Sequence, residues 1–301
     1  MEKFKDVRIV DNFYQTSSYF PMPTILISTV AENGQTNLGA YSLCFPYYIA
    51  GKDYYAMILE ARNSSNTAQN ILRTKKCTLN FITDEKKYFK EAVRLGFPGD
   101  TTEQKMKDCI FTLVDSELGA DRPQMVEESY QVFECTWDDS LEDAYLDQPG
   151  QLEGYEPPYR NFNGITSKFG AHFVLKIDKI WMKEKYLRGI TNESKPGLFP
   201  PVPVDYGYRD SKNFWCCRHR TPYAVGIQAK EGDVKSVMYA ASRIDPEVTF
   251  TEKACGKLTK IPRVFLKAAL TQMVNIAKEQ GITVIDEAEI DLINKIRKQK
   301  R

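Results

Sequence analysis

The residues whose types are best suited to binding a ligand form a polar cluster directly before a helical pattern. Arg62, Ser64, Ser65 and Thr67 precede the helix-like residues 68–74. The first N–H groups of a helix have no intrahelical partner and the helix dipole is positive there, so a helix start attracts anions. The hydroxyl groups and the guanidinium group add donors that suit a phosphate group. Simple helix capping by a hydroxyl explains the same residues without a ligand, and both interpretations stay open from this pattern alone.

A second cluster of reactive residue types contains Cys216 and Cys217, followed by Arg218, His219 and Arg220. A thiol beside cationic side chains can have a lowered pKa and act as a redox group. Alternatively, the segment is an aromatic and basic strand end with a structural role. We favour the structural interpretation, because adjacent cysteines on a strand point to opposite faces and rarely form a working dithiol.

Carboxylates are clustered in residues 138–164, together with several prolines and glycines. Because these carboxylates have no regular ligand spacing, we predict a surface loop or lid and not a metal site. The cysteines and histidines also lack the spacing of zinc or iron–sulfur sites. The sequence therefore predicts no metal.

The segments that would position the polar cluster are mainly strand-like. Asn33 and Gly34 form a strong hairpin signal between two apolar runs, because both residues tolerate positive φ. Apolar and β-branched runs predict strands at residues 24–30, 38–45, 54–59, 77–82, 130–137 and 170–181, and helical patterns cover residues 68–74, 86–95 and 102–114.

Composition describes an ordinary globular protein. The 301 residues are 42% hydrophobic and 27% charged, and the net charge is +1, which gives no electrostatic argument for nucleic acid or a membrane surface. No apolar run is long enough to cross a bilayer, and residues 1–6 lack an apolar signal region. With seven scattered cysteines, we expect a reduced, soluble, cytoplasmic protein.

The order and spacing of the residues around the polar cluster resemble the flavin reductase-like FMN-binding split barrels, which include the flavoredoxins. The matching residues are Pro23, Thr24, Ser28, Thr29, Asn33, Gly34, Asn37, Ala40, Tyr41, Ser42, Arg62, Ser65, Asn66, Thr67, Asn70, Ile71, Leu79, Asn80 and Phe81. The likeness runs from about residue 14 to residue 189. It implies an α+β fold that is mainly β: a six-stranded antiparallel Greek-key split barrel with helical insertions.

The resemblance also implies a binding site for FMN. The second strand, residues 37–44, would line the edge of the isoalloxazine ring, and the turn at residues 62–67 would hold the phosphate. The residues expected to bind FMN are Asn37, Ala40, Tyr41, Ser42, Cys44, Arg62, Ser64, Ser65, Asn66, Thr67 and Asn70. His172 matches a family position that faces the nicotinamide or flavin, so it is the expected catalytic residue; a packed or capping histidine is the alternative.

By this resemblance, the expected function is hydride transfer from NADH or NADPH to FMN, with electrons passed on to a flavin or another acceptor. No G-x-G-x-x-G motif follows a strand, so a Rossmann domain for the nicotinamide is not expected. The alternative is an FMN-binding electron carrier that a redox protein partner reduces; a flavin-free binding protein on this scaffold is a third reading. The resemblance further implies a homodimer.

The C-terminal segment resembles the small helical domain of a light-independent protochlorophyllide reductase subunit. The matching residues are Thr251, Ala254, Leu258, Ile261, Pro262, Ile276, Ala277, Gly281 and Ile282. We therefore expect three parts: a split barrel at residues 1–205, a barrel extension or linker at residues 206–250, and a helical domain at residues 251–301.

Overall fold

The structure is a computed structural model that describes residues 4–9, 17, 19–49, 54–97, 99–140, 162–191, 196–208, 212–218, 232–261 and 263–299. The chain divides into two compact units. The first comprises Met1–Leu187 and Pro196–Thr221, and the second comprises Arg188–Lys195 and Pro222–Arg301. The division into a barrel, an extension or linker and a helical domain at residues 205 and 250 stays a prediction.

Thirteen strands and four α-helices precede residue 220 in the described part of the chain. The strands are β1 (Met22–Pro23), β2 (Ile25–Val30), β3 (Thr36–Tyr41), β4 (Cys44–Tyr47), β5 (Ala56–Arg62), β6 (Lys76–Ile82), β7 (Leu113–Val114), β8 (Met125–Val126), β9 (Ser129–Trp137), β10 (Gly164–Ile165), β11 (Gly170–Met182), β12 (Val204–Tyr208) and β13 (Phe214–Cys217). The helices are α1 (Asn66–Thr74), α2 (Lys86–Gly96), α3 (Thr102–Met106) and α4 (Glu184–Thr191), and a short 3-10 helix covers Pro196–Leu198.

The main sheet is antiparallel and runs in the order β3-β2-β6-β9-β11-β5-β4, with β10 paired to β11. Strands β3 and β4 lie at opposite ends of this order, yet only Ser42 and Leu43 separate them in sequence. With two residues between them, the Cα atoms of Tyr41 and Cys44 lie at most about 11 Å apart. The sheet must therefore curl until its two edges meet at this point. The expected α+β split barrel is confirmed.

Three details differ from the sequence-based expectation. Residues 38–45 are not one strand, because the chain leaves one sheet edge after Tyr41 and joins the other at Cys44. The main sheet has eight strands and not six, since β4 and β10 add to it. The helix expected at residues 102–114 ends at Met106, and Leu113–Val114 pairs instead with Met125–Val126.

The barrel interior is formed by the inward-facing residues of the curled sheet. Leu59, Leu79 and Phe173 are fully buried there, together with the thiol-bearing Cys77 and Cys135. Alternating burial along β5 and β11 places every second side chain in this core. Full burial of such apolar side chains supplies the main stabilisation of the barrel.

A small three-stranded sheet, β1-β12-β13, brings residues from far along the chain to the barrel. Met22 pairs with Asp205, and the N–H group of Thr24 donates to the carbonyl oxygen of Pro203 at 3.1 Å. Asp205 in turn pairs with Cys216 on β13. This pairing places residue 205 beside the start of β2.

The second unit is helical and has its own core. It contains α5 (Gly232–Ser242), α6 (Glu252–Leu258), α7 (Arg263–Glu279) and α8 (Glu287–Gln299), with β14 (Thr249–Phe250) parallel to β15 (Val284–Ile285). Leu270, Ile285 and Ile293 are buried in its centre. Gly281 follows α7 with φ of +68°, a conformation that glycine adopts without strain and that commonly ends a helix. The protochlorophyllide reductase likeness of this unit stays a prediction.

No helix in the described residues is long and apolar enough to cross a membrane.

Candidate functional site

A cavity of about 900 Å³ opens in the first unit, at the place where the two edges of the sheet meet. Its walls are the end of β3 and the bend after it, the turn between β5 and α1, the buried side of α2, the residues before β11, and parts of β12 and β13. This volume lies within the roughly 300–1,000 Å³ that is typical of cofactor and ligand sites.

The polar turn before α1 forms one wall of this cavity. Ser65 is the helix N-cap, and its Oγ atom accepts a hydrogen bond from the N–H group of Ala68 at 3.1 Å. The N–H group of Ser65 donates to the carbonyl oxygen of Arg62 at 3.0 Å, which tightens the turn. The N–H groups of Asn66 and Thr67, at the first two helical positions, have no intrahelical acceptor. Two backbone donors at the positive end of the helix dipole therefore border the cavity.

The side chains around this turn are also suited to an anion. Arg62 is exposed at the cavity, and its guanidinium group makes no hydrogen bond or ion pair with the described residues. Ser64 is exposed beside it, and the first turn of α1 carries no acidic residue. Ser65 thus performs the helix capping that needs no ligand, whereas the side chains of Arg62 and Ser64 make no hydrogen bond with the described residues.

Strand β3 approaches the polar turn very closely. The hydroxyl group of Tyr41 donates to Oγ of Ser65 at 3.2 Å. Burial raises the pKa of the Tyr41 hydroxyl, although hydrogen bonds with Ser65 and Thr67 oppose that shift. At Gly39 an added Cβ atom would lie only 2.8 Å from Oγ1 of Thr67. The absence of a side chain at residue 39 is therefore what allows strand and helix to share this wall.

Most of the residues expected from the sequence to bind FMN border the cavity. They are Ala40, Tyr41, Ser42, Arg62, Ser64, Ser65, Asn66 and Thr67. These residues come from two segments, the end of β3 with the bend after it and the stretch from the end of β5 to the start of α1, and the fold brings both segments to one site. Their role in binding a ligand stays a prediction.

Asn37, Cys44 and Asn70 lie outside the cavity lining. The side-chain oxygen of Asn37 accepts hydrogen bonds from Nδ2 of Asn66 at 3.3 Å and from Oγ1 of Thr102 at 3.2 Å. Asn70 donates to Oγ1 of Thr29 at 3.1 Å. Asn37 thus holds Asn66 at the start of α1, and Asn70 ties α1 to β2.

Cys44 faces the barrel core and is 1% exposed, and burial raises the pKa of its thiol well above the ordinary value.

His172 also lies away from the cavity lining. Its ring stacks on Phe162 at a centroid distance of 5.0 Å, and its Nδ1 atom is 2.6 Å from Oγ1 of Thr166. In β11 it pairs with Glu60 on one side and Gly164 on the other. These contacts are those of a packed histidine, the alternative left open above, and its catalytic role stays a prediction.

Two buried charged residues in the cavity wall were not identified from the sequence. Asp205 is fully buried, and Lys105 is 8% exposed and donates to the carbonyl oxygen of Leu95 at 3.1 Å. Burial lowers the pKa of the Lys105 ammonium group. The sequence shows Asp205 as a single aspartate within the apolar run 202–206, but no pattern of neighbouring residues connects it to the polar turn.

Cys216 does not have the environment of an activated thiol. Cys216 and Cys217 lie on β13, and the pKa of Cys216 is raised, first by desolvation and then by Cys217 and Asp205. His219 and Arg220 lie outside the described residues, as does the acidic segment 141–161. Among the described residues, no group of three or more His, Cys, Asp and Glu side chains is placed to hold a metal ion.

The geometry defines an antiparallel split barrel with a polar, anion-suited turn at a cavity between its meeting sheet edges. No protein-family model matches the chain, and no curated protein matches its sequence. Among solved structures, flavoredoxin from Methanosarcina acetivorans is similar with a TM-score of 0.50 and 16% identity, covering 78% of this chain and 100% of that one.

Two other structures are similar at slightly lower scores. The FMN-binding protein from Thermus thermophilus has a TM-score of 0.49 and 12% identity, covering 75% of this chain and 100% of its own. Component B of nitrilotriacetate monooxygenase from Bacillus cereus has a TM-score of 0.48 and 14% identity, covering 76% and 100%. At these identities, the likeness to the flavoredoxin establishes the fold and nothing further.

Proposed function

We propose that this chain binds FMN in the described cavity and acts as an NADH- or NADPH-dependent flavin oxidoreductase that passes electrons to a flavin or another acceptor. The observation that carries the proposal is the guanidinium group of Arg62, unpaired among the described residues, at the same cavity as two backbone N–H groups of α1 that have no intrahelical acceptor. The flavoredoxin and the FMN-binding protein named above share the fold and support the choice of flavin.

The residues present fit FMN. A phosphate group carries close to two negative charges, and the turn offers it a cation, hydroxyl groups and backbone donors without a competing carboxylate in the first helical turn. Gly39 and Ala40 keep the adjoining wall free of bulky side chains, so a flat ring can approach the strand. A flavin, when bound, supplies the hydride and electron chemistry.

In this proposal, the protein residues bind and orient the ligand. Arg62, Ser64 and Thr67 hold the phosphate group, and the backbone from Ala40 to Ser42 borders the ring. Phe89 and Leu95 of α2 line the cavity and limit access of water to it. His172 is kept as a residue to test, because removing it should lower the reduction rate more than the FMN affinity if it acts at the ring.

Titration of the purified apo-protein with FMN, followed by flavin fluorescence, tests the proposal. We expect saturable binding of one FMN per chain. Arg62→Ala should weaken it by about 1–3 kcal/mol, or roughly 5- to 150-fold, because a charge-assisted hydrogen bond to phosphate is lost.

The matched control for Arg62→Ala is Lys90→Ala, which removes an exposed positive charge outside the cavity lining and should leave the affinity unchanged. Riboflavin, which lacks the phosphate, should bind the Arg62→Ala variant as well as it binds the wild type. Equal FMN affinity of wild type and Arg62→Ala would eliminate the phosphate site.

An FMN-binding electron carrier reduced by a protein partner is the second candidate function. It is favoured by the second unit, which has its own core and still exposes Phe265 and Leu292 to solvent. Oxidation of NADH or NADPH by the FMN-loaded protein alone would argue against a carrier. A homodimer and a cytoplasmic location stay predictions, and light scattering of the purified protein tests the first.

A further inference from the structure

Asp205 is a buried carboxylate in the cavity wall that the proposed phosphate site does not use. It lies on β12, is 0% exposed as a residue, and borders the cavity together with Thr24 and Ser42. Carboxylates are rarely buried completely unless they are paired with a cation or hydrogen-bonded. Asp205 makes no ion pair with the described residues, so its hydrogen bonds must account for its position.

Only one of its two oxygen atoms is accounted for. Oδ2 accepts hydrogen bonds from Oγ1 of Thr24 at 2.9 Å and from Oγ of Ser42. Oδ1 is buried and has no hydrogen-bond partner in the described part of the chain. The hydrogen bonds of Oδ2 have a structural explanation, because they hold β12 against β2 and against the bend after β3. It does not explain an acceptor atom left without a donor, which is uncommon in folded proteins.

The hydrogen bonds of this carboxyl group leave Oδ1 as the oxygen atom without a donor among the described residues. Because two hydroxyl groups donate to Oδ2, that atom acts as an acceptor, and Oδ1 is the atom free to form another bond. Burial raises the pKa of Asp205, while bonds from Ser42, Thr24 and the backbone of Gly207 oppose the shift. Above this raised pKa the carboxyl group is ionised, and Oδ1 then acts as an acceptor.

We propose that Asp205 is a ligand-binding residue whose Oδ1 atom accepts a hydrogen bond from an N–H group of the molecule in the cavity. The proposal rests on the FMN function proposed above. Since the ring system of an oxidised flavin carries a single N–H donor, the imide group at N3, Asp205 selects that group. Thr24 and Ser42 are positioning residues that hold the carboxylate in place.

Comparison of FMN with N3-methyl-FMN tests this assignment, because the methylated flavin keeps the phosphate and loses the donor. We expect the wild type to bind FMN at least roughly tenfold more tightly than the methylated analogue, the loss typical of one charge-assisted hydrogen bond. In the nearly isosteric Asp205→Asn, the amide oxygen takes the place of Oδ2, to which both hydroxyl groups donate, and an NH2 group replaces Oδ1. FMN binding should therefore weaken, and the ratio of the two affinities should fall to about one. Fluorescence titration supplies both affinities without any assay of activity.

Asp100→Asn is the matched control, since Asp100 is exposed at the rim of the same cavity. Asp100→Asn should retain the wild-type ratio of FMN affinity to N3-methyl-FMN affinity. If this ratio falls to about one in Asp100→Asn as well, the discrimination is a general effect of charge at the cavity and the assignment to Asp205 is overturned. An equal ratio in wild type and Asp205→Asn, with folded protein shown by its urea unfolding curve, would also overturn it. A wild type that binds neither flavin would remove the FMN function and this role together, whereas FMN binding with an unchanged ratio removes this role alone.

Discussion

Replacement of Gly39 by alanine should destabilise the fold and weaken ligand binding together. The new Cβ atom would lie 2.8 Å from Oγ1 of Thr67 and 2.9 Å from Cε2 of Tyr41. Both distances are shorter than non-bonded contacts allow. Neither neighbour moves freely, because Thr67 is a buried β-branched residue on α1 and the hydroxyl group of Tyr41 is bonded to Ser65. Overpacking of this kind typically costs about 1–3 kcal/mol.

Urea unfolding of the apo-protein measures this cost, and FMN titration measures its effect on the site. Relief of the overlap must move Thr67 or Tyr41, both of which border the cavity, so FMN affinity should fall as well. Gly96→Ala is the control: its Cβ atom would meet Ala40 at 3.7 Å, an ordinary contact, and alanine favours the helix by up to about 1 kcal/mol. If Gly39→Ala unfolds at the wild-type urea concentration, the close approach of β3 to α1 is wrong.

Three further predictions concern single side chains. Ser65→Ala should lower the free energy of unfolding by about 0.5–2 kcal/mol, because α1 loses its N-cap; equal urea midpoints of variant and wild type would contradict this. Leu79→Ala, in the barrel core, should cost about 2–5 kcal/mol by the same measurement, whereas the exposed Leu292→Ala should cost far less. Burial raises the pKa of Asp205 in the folded protein above its pKa in the unfolded chain. At a pH between these two pKa values the folded protein binds more protons than the unfolded chain, so the free energy of unfolding falls as the pH rises. In Asp205→Asn, the free energy of unfolding, measured with urea at several pH values, should fall less steeply with pH. Cys216 is the titratable group that pairs with Asp205 on the neighbouring strand. The same pH profile in variant and wild type would count against a raised pKa of Asp205.

Local features of the structure were predictable from the sequence, because short-range interactions determine them. Asn33 and Gly34 form the turn between β2 and β3, where Gly34 has φ of +82°. Ser65 caps α1, and Gly281 ends α7. In each case, a backbone conformation or a hydrogen bond within a few residues favours one residue type strongly enough to be recognised.

The break at Ser42 and Leu43 was not predictable from local pattern. Residues 38–45 are apolar and strand-like throughout, and only closure of the sheet forces the chain to leave β3 and begin β4. The residue pattern indicates which side chains can lie in a sheet. The curvature that brings distant edges together arises from the packing of all strands around one core.

The sequence alone determined the local elements, the polar turn and the split-barrel resemblance, since these depend on residues close together along residues 23–81. Only the tertiary structure decided that His172 packs against Phe162 and that Asp205 borders the cavity. Asp205 is 163 positions from Ser42 and 181 from Thr24, the two residues that hold it. Contacts over such separations depend on pairing of β12 with β1, and no local preference along the chain encodes which strand edge will be available.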